Sequence, residues 1–260
     1  MTTSYEERFD DYYRTEWRHD AGVRGEDLLL DHYPYSVRVR LPQGGWWLEL
    51  GVGTGRVVWY HRRTLQERGA TCVGVDTSPA AVDRLRRTLG GVPLHAVRGD
   101  IHRLPFAPGS FDCITLFGTL QAVDRDRRID AVAEMTDLLA DGGRLGFSVH
   151  PPSLLELIRC LASPRDFRNI TSGRWLRREL GRRRLAFTLE KHRVFVIPKK
   201  LLSLLGMRLP VWFGFSEFRS GRLTRAATWL FRRCLPFLTF GHWWVWVEKP
   251  APAPTKEVPG

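Results

Sequence analysis

The feature that most constrains the fold is a glycine-rich turn between an apolar run and a helical pattern. Residues 46–56 read Trp-Trp-Leu-Glu-Leu-Gly-Val-Gly-Thr-Gly-Arg, with glycine at the three alternate positions 51, 53 and 55. An amphipathic run resumes at Val57, so the predicted order is strand, tight turn and helix. Glycine permits positive φ angles and lets a ligand approach the backbone. The free N–H groups that open the helix would form a polar cradle for that ligand.

The spacing of these glycines excludes two common phosphate-binding loops. A dinucleotide fingerprint needs a third glycine at position 56, where the chain has arginine, and the Gly-Lys-Ser/Thr of a P-loop is absent. Instead, Glu49 lies at the end of the first apolar run and Asp76 ends the next one, residues 71–76. An acid at the second strand's tip suits the two hydroxyls of a ribose. An acid at the first tip would repel a pyrophosphate but suits a cationic amino group. Together they predict a nucleoside that carries an amino acid.

Four sequence motifs, in the order in which they occur along the chain, resemble those of the class I S-adenosylmethionine-dependent methyltransferases of the small-molecule kind (methyltransferase type 11-like). The resemblance covers about residues 46–150, with a fainter echo to 248. It implies that the cofactor is S-adenosylmethionine. Methyl transfer from its sulfonium removes the positive charge on sulfur, so we expect no metal. The motifs are residues 49–55, Asp76, residues 99–106 with 109–112, and residues 141–145.

The resemblance also implies a set of cofactor-binding residues. Asp76 would bind the ribose, and Asp100 with its neighbour Ile101 would hold the adenine. The expected cofactor-binding residues are Glu49, Gly51, Gly53, Thr54, Gly55, Asp76, Thr77, Asp100, Ile101 and Phe117. The acids and Phe117 fall at carboxyl ends of predicted strands, where a doubly wound parallel sheet gathers its ligand-binding residues. Asp112 begins a predicted strand, away from that edge, and is interpreted as structural.

Strand and helix patterns alternate from residue 46 onward, which is typical of an α/β doubly wound sheet. Strands are predicted at 46–50, 71–76, 94–97, 111–116 and 145–149, and helices at 57–68, 79–89 and 129–139. Residues 142 and 143 are interpreted as a turn before the fifth strand, and 243–247 as the final antiparallel strand. Residues 192–207 resemble the short helix before the sixth strand of related enzymes. We therefore expect a seven-stranded, mostly parallel, Rossmann-like sheet with a basic helical insertion between strands five and six.

The chain is long and apolar enough for one domain with elaborations, at 260 residues and 43% hydrophobic content. Residues 1–40 are expected to form an N-terminal helical lid segment that excludes water from the methyl donor. Residues 41–150 would be the S-adenosylmethionine-binding α/β core. Residues 151–249 would supply the basic acceptor-binding insertion and the C-terminal strands, and the proline-rich residues 250–260 a disordered tail.

The second half of the chain is strongly basic. Residues 159–233 hold 19 Lys and Arg against four acids, in a chain whose net charge is +12. Leu, Trp and Phe are interleaved with these charges, which suits an anionic membrane surface. A nucleic-acid groove, an anionic small substrate and a merely solvated basic face remain alternatives. The expected partners are a small-molecule or lipid-like acceptor and a peripheral membrane contact; nucleic acid is less favoured.

The cysteines predict a reducing environment. Cys72 and Cys113 fall in predicted core strands, and all four cysteines lie far apart with no metal-ligand spacing. No apolar run approaches the roughly 20 residues of a membrane-spanning helix, and the acidic amino terminus does not resemble a signal peptide. The expected location is cytoplasmic, with a peripheral membrane association as one alternative.

Two further residues are candidates for catalysis. Methyl transfer from a sulfonium needs orientation more than charge stabilisation, but an oxygen acceptor would also need a general base. His150 follows the predicted fifth strand and could be that base, while Gln121 follows the fourth and could orient the acceptor. The predicted function is methylation of a small-molecule or lipid-like metabolite, at an oxygen atom, in secondary metabolism. An RNA methyltransferase and a catalytically inactive binding protein remain alternatives.

Overall fold

The computed structural model describes residues 39, 41–120, 123–124, 126–149, 171–197, 213–215 and 239–251. These residues form eight strands and four helices: β1 (Trp46–Leu50), α1 (Arg56–Arg68), β2 (Thr71–Asp76), α2 (Pro79–Thr88), β3 (Leu94–Arg98), β4 (Phe111–Leu116), α3 (Arg128–Asp137), β5 (Leu139–Val149), α4 (Gly173–Arg182), β6 (Phe187–Ile197), β7 (Phe213–Phe215) and β8 (Thr239–Glu248). Almost all of the expected lid, residues 1–40, lies outside the described residues, so the division into a lid, a core and an insertion stays a prediction.

The described strands form one sheet in the order β3-β2-β1-β4-β5-β8-β6-β7. Strands β1 to β5 are parallel to one another, and β8 lies antiparallel between β5 and β6. The predicted mostly parallel, doubly wound sheet is therefore confirmed, with the three-residue β7 added at its edge. The C-terminal ends of β1 to β5 meet along one side of the sheet, here named the carboxyl edge.

Both faces of the sheet are covered, because the strands alternate side chains between two apolar layers. Trp47 of β1 packs with Val58 of α1 and Leu85 of α2 on one face. Leu48 of β1 packs on the other face with Val132 of α3. The central parallel strands β1, β2 and β4 are therefore mostly buried between two layers of helices, and their ends are available for a ligand.

Local signals set the helix ends as the sequence predicts. Ser78 caps α2, where its Oγ accepts a hydrogen bond from Ala81 N at 3.2 Å, and Pro79 is the first helical residue. Gly69 ends α1 with a φ of 58°. These caps fix the length of each helix and therefore the point at which the next strand enters the sheet.

Two elements differ from the sequence predictions. Strand β5 begins at Leu139, earlier than predicted. Gly142 (φ 76°) lies in an irregular part of this strand, where the pairing register between β4 and β5 shifts. The interpretation of this glycine as part of a turn before the strand was wrong. The expected short helix at 192–207 was also wrong over 192–197, which belong to β6. Strand β6 pairs with β8 from Phe187, opposite Val247, to Phe195, opposite Thr239.

The insertion between β5 and β6 is described only from residue 171 onward, and there it contains α4. Among the described residues, no helix is long and apolar enough to cross a membrane. Cys72 and Cys113 are buried free thiols, as predicted. Burial raises the pKa of Cys113 to about 12, so this thiol stays protonated and packs as a small apolar side chain.

Candidate functional site at the carboxyl edge

The glycine turn lies at the tip of β1, on the carboxyl edge. Gly51, Gly53 and Gly55 have φ angles of 69°, 53° and 80°, the left-handed region that the sequence predicts for this turn. A hydrogen bond from Gly55 N to Val52 O, 2.9 Å long, closes it. Gly55 is also the N-cap of α1 and makes no side-chain capping bond. Because glycine has no side chain to cap the helix, the N–H groups of the first turn of α1 can donate hydrogen bonds to a ligand.

Neighbouring segments pack against the turn closely enough to exclude a side chain there. A Cβ atom on Gly51 would overlap Thr119 Oγ1, and one on Gly55 would overlap Leu85 Cδ1 of α2. The Thr119 hydroxyl lies 3.0 Å from both Leu50 O and Phe117 O, which accept its proton. The segment after β4 is thus bound to the tip of β1, and the shape of the turn depends on both contacts.

Asp76, at the tip of β2, holds the turn in place. Its Oδ2 accepts a hydrogen bond from Gly53 N at 2.9 Å, and its Oδ1 accepts one from Ser78 N at 3.0 Å. The residue is only 8% exposed. The sequence indicates a ribose-binding role and misses this bracing role, which requires the tertiary structure. Its place at the tip of β2, beside the glycine turn, is the place where the sequence predicts the ribose to bind.

Glu49 lies at the other side of the turn and is 1% exposed. Its Oε2 accepts a hydrogen bond from Thr115 Oγ1 of β4, the residue opposite it in the sheet. Thr115 in turn accepts from Trp47 Nε1 at 2.5 Å. Because an indole can only donate, the threonine proton must be directed to Glu49. Burial raises the pKa of Glu49 well above its usual range, and the Thr115 bond lowers it in part. A nearby cation would favour the ionised form.

The predicted adenine-binding residues follow β3. Asp100 is exposed, and its Oδ1 accepts a hydrogen bond from His102 N at 2.9 Å, which forms a tight turn. Ile101 is partly buried against the apolar core on the α3 side. Gly99 N donates to Asp76 O at 3.0 Å and so joins the tips of β2 and β3. Asp100 and Ile101 are therefore tied to the same edge as Asp76.

The remaining predicted cofactor residues lie at the tips of β1, β2 and β4. Thr54 is buried within the glycine turn, and Thr77 follows Asp76 with its carbonyl accepting from Arg98 Nε at 3.2 Å. Phe117 follows β4 and stacks on Trp244 of β8, with ring centroids 4.5 Å apart. The structure thus brings the ten predicted cofactor-binding residues to one edge of the sheet.

The catalytic candidates and Asp112 have different outcomes. Gln121 and His150 both lie outside the described residues, so their roles stay predictions. Asp112 is structural, as predicted: its Oδ2 accepts from Trp46 N at 2.8 Å, at the opposite edge of the sheet. Sequence reasoning missed Thr115 and also Ser148, whose Oγ accepts from Gly118 N at 3.0 Å and joins the tips of β4 and β5. The one available signal was a hydroxyl within an otherwise apolar strand.

Comparisons with known proteins show what this part of the chain resembles. A family model described as a methyltransferase domain matches residues 48–143. A demethylmenaquinone methyltransferase of Thermus thermophilus is 32% identical over 134 residues, which are 50% of this chain and 53% of the relative. A carboxy-S-adenosyl-L-methionine synthase of Pseudomonas putida is 31% identical over 105 residues, covering 37% of this chain and 42% of that one. The chain spans about half the length of the curated relatives it matches.

A solved structure shows the same fold. The complex between the Haloferax volcanii Trm112 methyltransferase activator and a methyltransferase aligns with a TM-score of 0.59 at 20% identity, covering 96% of this chain and 100% of the other. The region matched by the family model contains Glu49, the glycine turn, Asp76 and Asp100. Residues 48–143 are therefore similar to the methyltransferase domain of the class I S-adenosylmethionine-dependent methyltransferases.

Proposed function

We propose that the whole chain is an S-adenosylmethionine-dependent methyltransferase acting on an oxygen atom of a small-molecule or lipid-like metabolite. The observation that carries this proposal is the pairing of a left-handed glycine turn, braced by Asp76, with the buried carboxyl group of Glu49. A pocket that had lost its ligand would have no physical need for a buried acid whose ionised form is disfavoured.

The groups at the carboxyl edge fit this cofactor. The N–H groups that open α1 suit a carboxylate, and the carboxyl group of Glu49 suits an ammonium. The carboxylate of Asp76, at the tip of β2, suits the hydroxyls of a ribose. An ionised Glu49 beside the turn would repel the pyrophosphate of a dinucleotide, so the donor and acceptor set favours a nucleoside with an amino-acid moiety.

The chemistry requires orientation and one proton transfer. When bound, S-adenosylmethionine would supply a methyl group on a sulfonium; the acceptor oxygen would bond to the methyl carbon as the carbon–sulfur bond breaks, and S-adenosylhomocysteine would leave with that electron pair. Asp76 and Glu49 would hold the donor in place, so that the reacting atoms meet at a near-attack distance. His150 would take the hydroxyl proton of the acceptor, and Gln121 would orient that hydroxyl. Residues 1–40 would exclude water as a lid.

The acceptor class is supported by similarity and by composition. The Thermus relative is named for demethylmenaquinone, which supports a small-molecule acceptor for this chain. The basic stretch at 159–233, with its interleaved Leu, Trp and Phe, supports an acceptor that is found at an anionic lipid surface. The Pseudomonas relative suggests a second reaction, in which S-adenosylmethionine itself is modified.

A labelling experiment tests the proposal. The protein is incubated with methyl-labelled S-adenosylmethionine and a whole-cell extract, and the label is separated into organic, aqueous small-molecule and nuclease-sensitive fractions. We expect label in one of the small-molecule fractions. Gly53→Val should abolish transfer by filling the turn. Gly109→Val, at a position with a φ of 75°, open space and a bond from its N–H to Asp137 O, is the matched control.

Three results would contradict the proposal. Label in the nuclease-sensitive fraction would indicate an RNA methyltransferase. No transfer above the Gly53→Val background, with S-adenosylmethionine still bound, would indicate an inactive binding protein. A carboxylated S-adenosylmethionine detected by mass spectrometry would place the reaction with that named for the Pseudomonas relative.

A further inference from the structure

Helix α4 carries a dense row of arginines on its exposed side. Residues 174–184 hold six arginines and a single acid, Glu179. All six arginines are exposed. Positions 174, 177, 178 and 182 have the spacing that places residues on one face of a helix. This surface, formed by Arg174, Arg177, Arg178 and Arg182, is named the α4 arginine face.

The opposite side of α4 fixes the helix to the protein. Leu176 and Leu180 are fully buried in the core beside α3, and Trp175 packs partly buried against the same core. The helix therefore cannot turn its leucines outward to enter a hydrocarbon layer. Any partner of the α4 arginine face must be held by charge and hydrogen bonds rather than by apolar insertion.

The arginines are only partly neutralised by acids within the described residues. Glu179 pairs with Arg178 at 2.8 Å and with Arg182 at 3.1 Å. In this part of the chain, Arg174 and Arg177 make no ion pair. Their guanidinium groups present planar sets of donors that match phosphate oxygens. The surface therefore suits a partner with several phosphates spread along a line of at least two helical turns.

The α4 arginine face begins beside the carboxyl edge. Gly173, the first residue of α4, packs so closely on Trp243 that a Cβ atom there would lie 2.7 Å from the indole ring. Trp243 pairs in the sheet with Val149, the last residue of β5. A surface that binds Arg174 and Arg177 would thus lie next to the edge that holds the cofactor residues.

We propose that the α4 arginine face binds the lipid phosphates of an anionic membrane. Membrane binding would bring the carboxyl edge close to a lipid-like acceptor in the bilayer. This inference rests on the proposed function for the class of acceptor. The geometry favours a bilayer over RNA because the described face is a convex helix without an exposed aromatic side chain on which a base could stack. Binding is predicted to be electrostatic and to weaken with salt.

Vesicle binding tests this inference. The full chain is mixed with vesicles of phosphatidylcholine alone or with one third phosphatidylglycerol, without S-adenosylmethionine or acceptor, and bound protein is measured by flotation. The wild type should bind only the anionic vesicles. Arg174→Gln with Arg177→Gln should weaken binding about 30-fold, since each basic residue near the surface contributes about fivefold.

A matched pair on the other face of the sheet gives the control. Arg63 of α1 and Arg87 of α2 are also exposed and make no ion pair among the described residues. Arg63→Gln with Arg87→Gln removes the same charge and should change binding by less than about twofold if location matters. An equal loss in both pairs would show that only net charge acts, and would overturn the inference.

Two other outcomes would overturn it. One is equal binding to neutral and anionic vesicles. The other is binding of a short RNA that is lost in the Arg174→Gln with Arg177→Gln variant, by a protein that does not bind vesicles. Calorimetric titration with S-adenosylmethionine, run in parallel, separates the two proposals. Cofactor binding and methyl transfer without vesicle binding would remove the membrane inference alone, and vesicle binding without methyl transfer would remove the proposed function alone.

Discussion

Asp76 is the residue whose substitution most sharply tests the geometry of the site. Asp76→Asn keeps the shape of the side chain but converts one acceptor oxygen into a donor. The two oxygens accept from Gly53 N and Ser78 N, so one of those N–H groups would face an amide NH₂. A hydrogen bond to a charged group contributes about 1.5–3 kcal/mol, and a buried donor left unpaired adds a similar penalty. We expect the free energy of unfolding to fall by about 2–3 kcal/mol.

The same substitution should also weaken cofactor binding, because the turn loses its brace at Gly53. We expect at least a roughly tenfold loss of S-adenosylmethionine affinity, equivalent to about 1.4 kcal/mol. Urea unfolding and calorimetric titration measure the two effects. Asp112→Asn is the matched control, since its single bond to Trp46 N lies at the opposite edge and can be kept by the amide oxygen. Equal losses of stability and affinity in the two variants would refute the bracing role of Asp76.

Three further substitutions test other parts of the site. Burial raises the pKa of Glu49, so between its ordinary value of about 4.3 and its folded value the native state holds a proton that the unfolded chain releases. Stability should therefore fall as pH rises through that window, and Glu49→Gln should remove the fall in urea unfolding measured across pH. A parallel pH dependence in both proteins would contradict this. Gly51→Ala should destabilise more than Gly109→Ala in thermal unfolding. Both lose about 1 kcal/mol to the left-handed backbone, and overlap with Thr119 adds about 1–3 kcal/mol at position 51. Equal losses of stability in the two variants would show that the Thr119 side chain moves to make room for the added methyl group. His150→Ala should lower turnover while sparing cofactor affinity, and an unaltered rate at every pH tested would eliminate the base role.

The regular part of the fold was predictable because local signals and tertiary structure agree there. β2 and β4 match their predicted bounds, since each is a near-continuous apolar run of the kind that is covered on both faces. β6 was not predicted, because Lys191, His192 and Arg193 interrupt its apolar pattern. Its identity as a strand depends on pairing with β8, some fifty residues later in the chain. Pairing over such a separation cannot be inferred from composition.

The site was predictable in its location but not in its hydrogen bonds. Glu49 and Asp76 were assigned to the carboxyl edge from their positions at the ends of apolar runs. That Thr115 meets Glu49 follows from the register between β1 and β4, across a separation of 66 residues. A shift of one residue would have turned that hydroxyl to the other face. The bracing of Gly53 by Asp76 likewise depends on the packing of two strand tips.

Calorimetric titration of the full chain with S-adenosylmethionine, in two mildly acidic buffers of different ionisation heat, tests the central claim most directly. Because burial raises the pKa of Glu49, the free protein should hold a proton there that a bound ammonium would displace. We expect saturable binding with one ligand per chain, proton release on binding, and an affinity that rises with pH. Glu49→Gln should bind more weakly and release no proton. Two results would contradict this account. One is a folded protein that gives no binding heat in either buffer, and the other is wild-type binding that releases no more protons than Glu49→Gln does.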